Sequence, residues 1–328
     1  MYLSEKGEKM LENFLYSVNT VVPIFLVVVL GWFLKNFKVL DSSFFAGADK
    51  FVFNFALPAM LFLDIAATDD IPVFDGKFII FCCAAIIGAF VLLCLLVPVF
   101  CKSNPIRGAF VQGAYRSNFA ILGSSIVINM FGEGASQTLA IVLPFVVILF
   151  NVLAVVALSI FAPKEQQMSG GKLLKTIVLN VVKNPLIISL VLGICVMLLP
   201  FTLPIIVEKS VTYVSDATMA LALMSLGANI EAKSVKDRLV YSISASLVKT
   251  MVLPLIVVTV AVLLGFRDVQ LGIILMIFGS PTAVSSYIMA KNMGSDHDLA
   301  SQILLFSTII CLGTLFLGIF LIKSLGLI

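Results

Sequence analysis

Two short stretches of this sequence combine residue types that could hold an anion without reacting with it. In 115–125, YRSNFAILGSS, Arg116, Ser117, Asn118 and Ser125 stand inside an apolar run long enough to cross a bilayer. In 279–287, GSPTAVSSY, Pro281, Thr282, Ser285 and Ser286 do the same. Gly and Ser weaken a helix, and proline also removes a backbone donor and clashes with the preceding turn, so both stretches read as interruptions. Opened backbone at membrane depth is tolerated only where protein or a wet cavity covers it. There, freed amides, hydroxyls and half-helix N-termini can replace the water lost by a carboxylate. Small residues such as Gly123, Ser124 and Ser125 also mark close helix packing. The recurrence of the pattern in two spans favours the binding reading.

Lys249 lies near the centre of a further apolar run, SISASLVKTMVLPL. A lysine at a lipid-facing midplane costs about 2.5–3.5 kcal/mol on insertion scales, so it is expected to face the protein interior or a wet cavity. Two readings stand for it: a positive charge that balances a carboxylate, or a donor linking helices through carbonyls opened by Pro254. Arg116 likewise reads as a substrate-side cation or as a tie between a broken helix and its neighbour. Asn54, with Pro58, is a weaker candidate in the second apolar run, and Asp64 reads as snorkelling to the interface. Asp216 and Asn229 are similar. His297, between Asp296 and Asp298, reads as a solvated helix start, with proton sensing as the alternative.

Catalysis finds little support in these residues. The single histidine lies outside every span interior, and neither an HExxH run nor a GxSxG elbow occurs, so an enzyme is not expected. Cys82, Cys83, Cys94, Cys195 and Cys311 lie within apolar runs and Cys101 closes one, which fits small buried hydrophobes better than disulfides or a metal site. No cofactor is expected.

The elements that must position these residues follow from composition. With 61% hydrophobic and 12% charged residues over 328 positions, and a mean hydropathy of +1.15, the chain is expected to be an all-α integral membrane protein. The net charge of +3 is small and the basic residues do not interleave with aromatics, so nucleic acid is not an expected partner. Membrane lipid is. The first 13 residues are charged and run into a span without a small-residue cleavage site, so a removable signal peptide is not expected.

Ten spans are predicted, near 14–35, 45–67, 76–100, 106–131, 137–161, 183–200, 208–230, 239–264, 269–291 and 298–322. This arrangement puts thirteen of the 21 Lys and Arg on one side and six on the other, with Arg116 and Lys249 on neither. The richer side is expected to be cytoplasmic and both termini extracytoplasmic. The hydrophilic stretch 162–182 divides the chain into halves, 1–161 and 183–328, of five spans each. An odd number per half forces the second to enter from the opposite side, so homologous halves would be inverted repeats. At an offset of 162, Pro23 falls on Pro185, Gly31 on Gly193, Gly132 on Gly294 and Asn54 on Asp216. The two interrupted spans, fourth and ninth, then correspond.

The chain resembles the auxin efflux carrier family, which includes plant PIN carriers and bacterial permeases for malate and malonate. The resemblance runs in order through VVPIFLVVVLGWFLK, FNFALPAMLF, RSNFAILGSSIVINMFG, ALMSLGANI and SPTAVSSYIMAKNMG. It implies a ten-helix inverted-repeat fold similar to that of bile-acid sodium symporters. Spans 1, 2, 6 and 7 would form a scaffold, and the rest a transport domain whose fourth and ninth helices cross where they break. Asn118 matches an asparagine that faces a carboxylate ligand at the first break, and Ser285 and Ser286 lie near the second. The crossover prolines of the PIN pattern are here Ser125 and Ser286, though Pro281 remains.

The function expected is alternating-access transport of a small organic anion, a mono- or dicarboxylate, through a site at the crossing of helices 4 and 9. Its expected members are Ser117, Asn118, Ser125, Pro281, Thr282, Ser285, Ser286, Lys249, Arg116 and Asn54. H+ or Na+ are the candidate coupling ions, the resemblance implies a homodimer, and the cell membrane is the expected location. The alternative is a receptor or sensor that keeps the fold and binds ligand without moving it.

Overall fold

A computed structural model describes residues 2–66, 75–162, 185–198, 203–229 and 238–328, with scattered positions between 163 and 184. Most of the linker expected over 162–182, the ends of the expected sixth span at 184 and 199–200, and the side chain of Asp64 lie outside the described residues. Among those described there are helices and no strands.

Uninterrupted apolar runs form single long helices: α1 (Tyr2–Asn36), α4 (Gly76–Phe100), α7 (Ser136–Ile160), α9 (Ile205–Ala228) and α14 (His297–Ser324). Their buried backbone is satisfied internally, as hydrocarbon requires. Asp75 and Asp296 start α4 and α14 by accepting the N–H groups of Phe78 and Leu299. Such caps satisfy donors that the first helical turn leaves free. Asp296 in this role agrees with the reading of His297 as a helix start.

Two further spans change pitch without breaking. α2 (Ser42–Phe51) and α3 (Leu57–Ala66) are joined by a wide π-helical turn, Val52–Ala56, just before Pro58. α10 (Leu239–Leu247) and α11 (Leu253–Leu263) are joined by another, Val248–Val252, just before Pro254. A proline ring clashes with the carbonyl four residues earlier, and a turn widened by one residue relieves that clash while the helix continues.

The fourth and ninth predicted spans do break. α5 (Asn104–Tyr115) and α6 (Ser124–Phe131) are separated by an extended segment and a π-helical turn, Phe119–Gly123. α12 (Asp268–Gly279) and α13 (Ser285–Asn292) are separated at 280–284. The sixth span is seen as α8 (Pro185–Met197). Seven helices of the described chain are long and apolar enough to cross a membrane. The seven coincide with expected spans other than the fourth, sixth and ninth.

Packing sorts the helices into two groups. α1, α2, α3, α8 and α9 lie against one another, while α4 to α7 and α10 to α14 form the second group. α1 and α9 touch backbone to backbone: a Cβ at Gly227 would stand 1.7 Å from the carbonyl oxygen of Val28, and one at Gly31 would stand 1.9 Å from that of Met224. Only glycine permits that approach. The groups meet where α1 packs on α6 and α14, where α7 packs on α3 and α8, and where α9 touches the turn Phe119–Gly123. The Tyr16 hydroxyl donates to the Met130 carbonyl at 2.9 Å, and Asn129 Nδ2 to that of Thr20 at 2.7 Å, across this boundary.

Candidate functional site at two interrupted helices

Each break strands the backbone groups that the next helical turn would have satisfied. At the first, Arg116 leaves the helix in extended geometry (φ −68°, ψ 138°) while its N–H still reaches the Gln112 carbonyl at 3.1 Å. In a continuing helix the Gly113 carbonyl would accept from Ser117; here it accepts the hydroxyl of Thr282, from the second break. The debt is returned in kind. Asn118 N–H, freed by the first break, donates to the carbonyl of Pro281 at 2.7 Å.

At the second break, Ser280 N–H closes the last turn on Met276 at 3.1 Å. The next carbonyl, of Ile277, would normally accept from residue 281, but Pro281 has no N–H. Lys249 Nζ takes that place at 3.4 Å and also hydrogen-bonds the carbonyl of Phe278. The N–H of Thr282, turned away from Phe278, donates instead to Ser307 Oγ at 3.1 Å. Lys249 is fully buried in the π-helical turn of its span, so it links helices through carbonyls of the ninth span rather than through any opened by Pro254.

Arg116, buried to 4% exposure, joins three elements. Its guanidinium donates to Asn151 Oδ1 on α7 at 2.6 Å, to Ser285 Oγ at 2.8 Å and to Met289 Sδ on α13 at 2.8 Å. None of the partners of Arg116 or Lys249 is acidic. Two cations therefore sit beside the two breaks without a carboxylate among their hydrogen bonds, where burying an unpaired charge is costly.

Around them, Ser117 Oγ, Asn118 Nδ2, Ser280 Oγ, Ser286 Oγ and Gln112 Oε1 are buried without a hydrogen-bond partner. Polar atoms in that condition normally find partners. Their concentration on the two breaks and the end of α5 is what a polar ligand site requires.

The remaining expected residues have local roles. The Ser125 hydroxyl donates back to the Ile121 carbonyl at 2.7 Å, within the turn that follows the first break. Asn54 is exposed, with Nδ2 on the Lys50 carbonyl at 2.8 Å, in a turn that packs on α8 and α9. Hydrogen bonds thus join Arg116 to Ser285, Asn118 to Pro281 and Thr282 to Gly113, and Lys249 to the end of α12, with the hydroxyls of Ser117 and Ser286 unpartnered at the two breaks. The structure also adds Gln112, Asn151, Ser280, Ser307 and Met289. Asn151 carried a signal in the sequence, being the one amide deep in the apolar run 139–158.

The profile of the Membrane transport protein family matches residues 16–319. An uncharacterized transporter of Methanocaldococcus jannaschii is 23% identical, over 89% of this chain and 94% of its own. A "putative malonate transporter" of Rhizobium meliloti is 22% identical over 93% of this chain and 95% of its own. The uncharacterized transporter YfdV of Escherichia coli is 20% identical over 84% and 88%. With the match spanning both interrupted helices, and with helices but no strands among the described residues of this multi-pass chain, this protein belongs to the membrane transport protein family, that of the auxin efflux carriers.

Proposed function

We propose that this chain is a secondary carrier of small organic anions, with the substrate carboxylate held where the fourth and ninth spans break. The observation that carries the reading is the pair of buried cations, Arg116 and Lys249, with no acidic hydrogen-bond partner beside unpartnered Ser117, Asn118 and Ser286. Hydroxyl and amide donors there can replace water around a carboxylate, while the cations supply positive potential. Two positive charges match a dicarboxylate better than a monocarboxylate, so malonate, named for one relative, is the first acid to test.

The two packing groups support an alternating-access mechanism in which α4–α7 and α10–α14 move as a transport body against α1–α3, α8 and α9. The inverted-repeat reading, ten spans in halves 1–161 and 183–328, draws support from matching element lengths. Each broken span has a first helix of 12 residues and a second of 8. Both are followed by a glycine in the left-handed region, Gly132 (φ 65°) and Gly294 (φ 69°). The charge asymmetry supports a cell-membrane protein with both termini outside.

The test is uptake of labelled malonate, malate and acetate into proteoliposomes. Dicarboxylate uptake that falls sharply in the double variant Asn118→Ala, Ser286→Ala is expected. Unchanged transport in that variant removes the site assignment, and no uptake of any carboxylate by the unaltered protein removes the function.

A further inference from the structure

We infer that the ammonium of Lys249 fills, from within the chain, a cation position at the end of α12, so that the crossing needs no free sodium ion or other small cation there. This rests on the carrier reading for its meaning, but its geometry stands alone. The C-terminal end of α12 is left with carbonyls pointing out of the last turn: Ile277 because Pro281 has no N–H, and Phe278 because the N–H of Thr282 goes to Ser307. A helix C-terminus carries roughly half a negative charge, and consecutive carbonyl oxygens that converge on one point are hard ligands of the kind a small monovalent cation takes.

Lys249 Nζ stands at that point, on both carbonyls, with its residue fully buried. Its other neighbours do not compete for the oxygens: the Cys311 thiol donates to Thr308 at 3.2 Å, and the Thr250 hydroxyl to Ser246 at 2.8 Å. Carbonyls freed at a break, and the C-terminal ends of half-helices, are the groups that hold small cations at membrane depth. Here the positive charge is covalently tethered to α10–α11, a helix of the same packing group. It accompanies the site through any movement of that group and cannot be lost to either side. The side chain therefore does the electrostatic work of a bound cation without making transport depend on a cation gradient at this position.

Removing the tether should leave a position that a free cation can occupy. Thermal unfolding of the detergent-purified protein is measured in choline, sodium and ethylammonium chloride at equal ionic strength; choline is too large and has no N–H to offer. The unaltered protein is expected to unfold at the same temperature in all three. Lys249→Ala is expected to unfold several degrees lower in choline and to recover part of that loss in sodium or ethylammonium. Lys249→Gln, which keeps most of the length and adds an amide oxygen, carries the same expectation should the alanine variant fail to fold. Midpoints of the variants that ignore the cation, or an unaltered protein stabilised by sodium, overturn the inference. Because unfolding is read without substrate, a failure of the carrier reading and a failure of this one give different results.

Discussion

The N–H of Asn118 lies 2.7 Å from the carbonyl oxygen of Pro281, so the backbone of one broken helix is completed by the backbone of the other. The Thr282 hydroxyl returns the bond to Gly113, and Arg116 spans from the first break to Ser285 and Met289. Neither break can close into a regular helix without stripping partners from its counterpart. The irregular backbone within this apolar chain is therefore a mutual arrangement, which leaves Ser117 Oγ and Asn118 Nδ2 buried without a hydrogen-bond partner.

Thr282→Val tests that mutual bonding. Valine matches the shape of threonine but leaves the Gly113 carbonyl without its partner in a fully buried setting. An unsatisfied buried carbonyl costs about 1–3 kcal/mol, and unfolding in detergent is expected to show a loss of that size. Thr282→Ser, which keeps the hydroxyl, is expected to retain most of the stability.

Gly227→Ala is expected to be far more damaging than its size suggests. The added methyl would meet the Val28 carbonyl at 1.7 Å, and backbone cannot rotate aside as a side chain can. Forcing α1 and α9 apart is expected to cost at least the 1–3 kcal/mol or so typical of overpacking. Gly47→Ala in α2 is the control, since a Cβ there meets nothing within 4 Å. Its removal of a helix-weakening glycine is expected to be neutral or to stabilise by up to about 1 kcal/mol.

Asp75 gives stability a pH dependence whose sign can be stated. The Phe78 N–H is the main group holding its carboxyl below the usual range, with Gln270 and Lys77 adding to the effect against some desolvation. A carboxyl lowered in the folded state stabilises fully above its unfolded pKa of about 4, and that contribution is lost as pH falls through the lower folded value. Asp75→Ala is expected to cost about 0.5–2 kcal/mol at neutral pH as a lost helix cap. The gap between it and the unaltered protein should narrow below pH about 4 in unfolding measured across acid pH. Asp75→Asn, a good cap without charge, is expected to lose less.

Much of this was legible in the sequence because hydrocarbon is an unforgiving solvent. Runs such as 76–100 and 136–160 have few alternatives to a helix, and polar clusters at 116–118 and 280–286 signal breaks because opened backbone is so costly there. The partners of the buried cations were not legible. Nothing local in SLVKTMV indicates that Lys249 would replace the N–H missing from Pro281, 32 positions away. Asn151 reaches Arg116 only because α7 packs on α5. Asn54 shares the residue type of Asn118 in a similarly apolar span, yet bonds within its own helix, since the turn before Pro58 widens without opening.

Asn151→Asp separates the charge of Arg116 from its place in the architecture. Asn151 Oδ1 already accepts from the guanidinium at 2.6 Å, so a carboxylate there keeps that contact and adds an internal anion, while giving up the Nδ2 donation to the Val147 carbonyl at 2.9 Å. At about 4 Å, opposite charges attract by roughly 4 kcal/mol at an effective dielectric of 20, enough to cancel most of what Arg116 offers a ligand. A change of about 1.4 kcal/mol is tenfold in affinity, so carboxylate uptake is expected to fall by about tenfold or more, through a raised KM. The same variant gains a charged partner for the buried cation and loses the bond to Val147, so its stability is expected to stay within about 1–3 kcal/mol of the unaltered protein's. Arg116→Ala, in contrast, should lose both uptake and stability, leaving Asn151 and Ser285 without their donor. If Asn151→Asp transports normally, Arg116 serves only to tie α5, α7 and α13 together, and the positive potential at the breaks must come from Lys249.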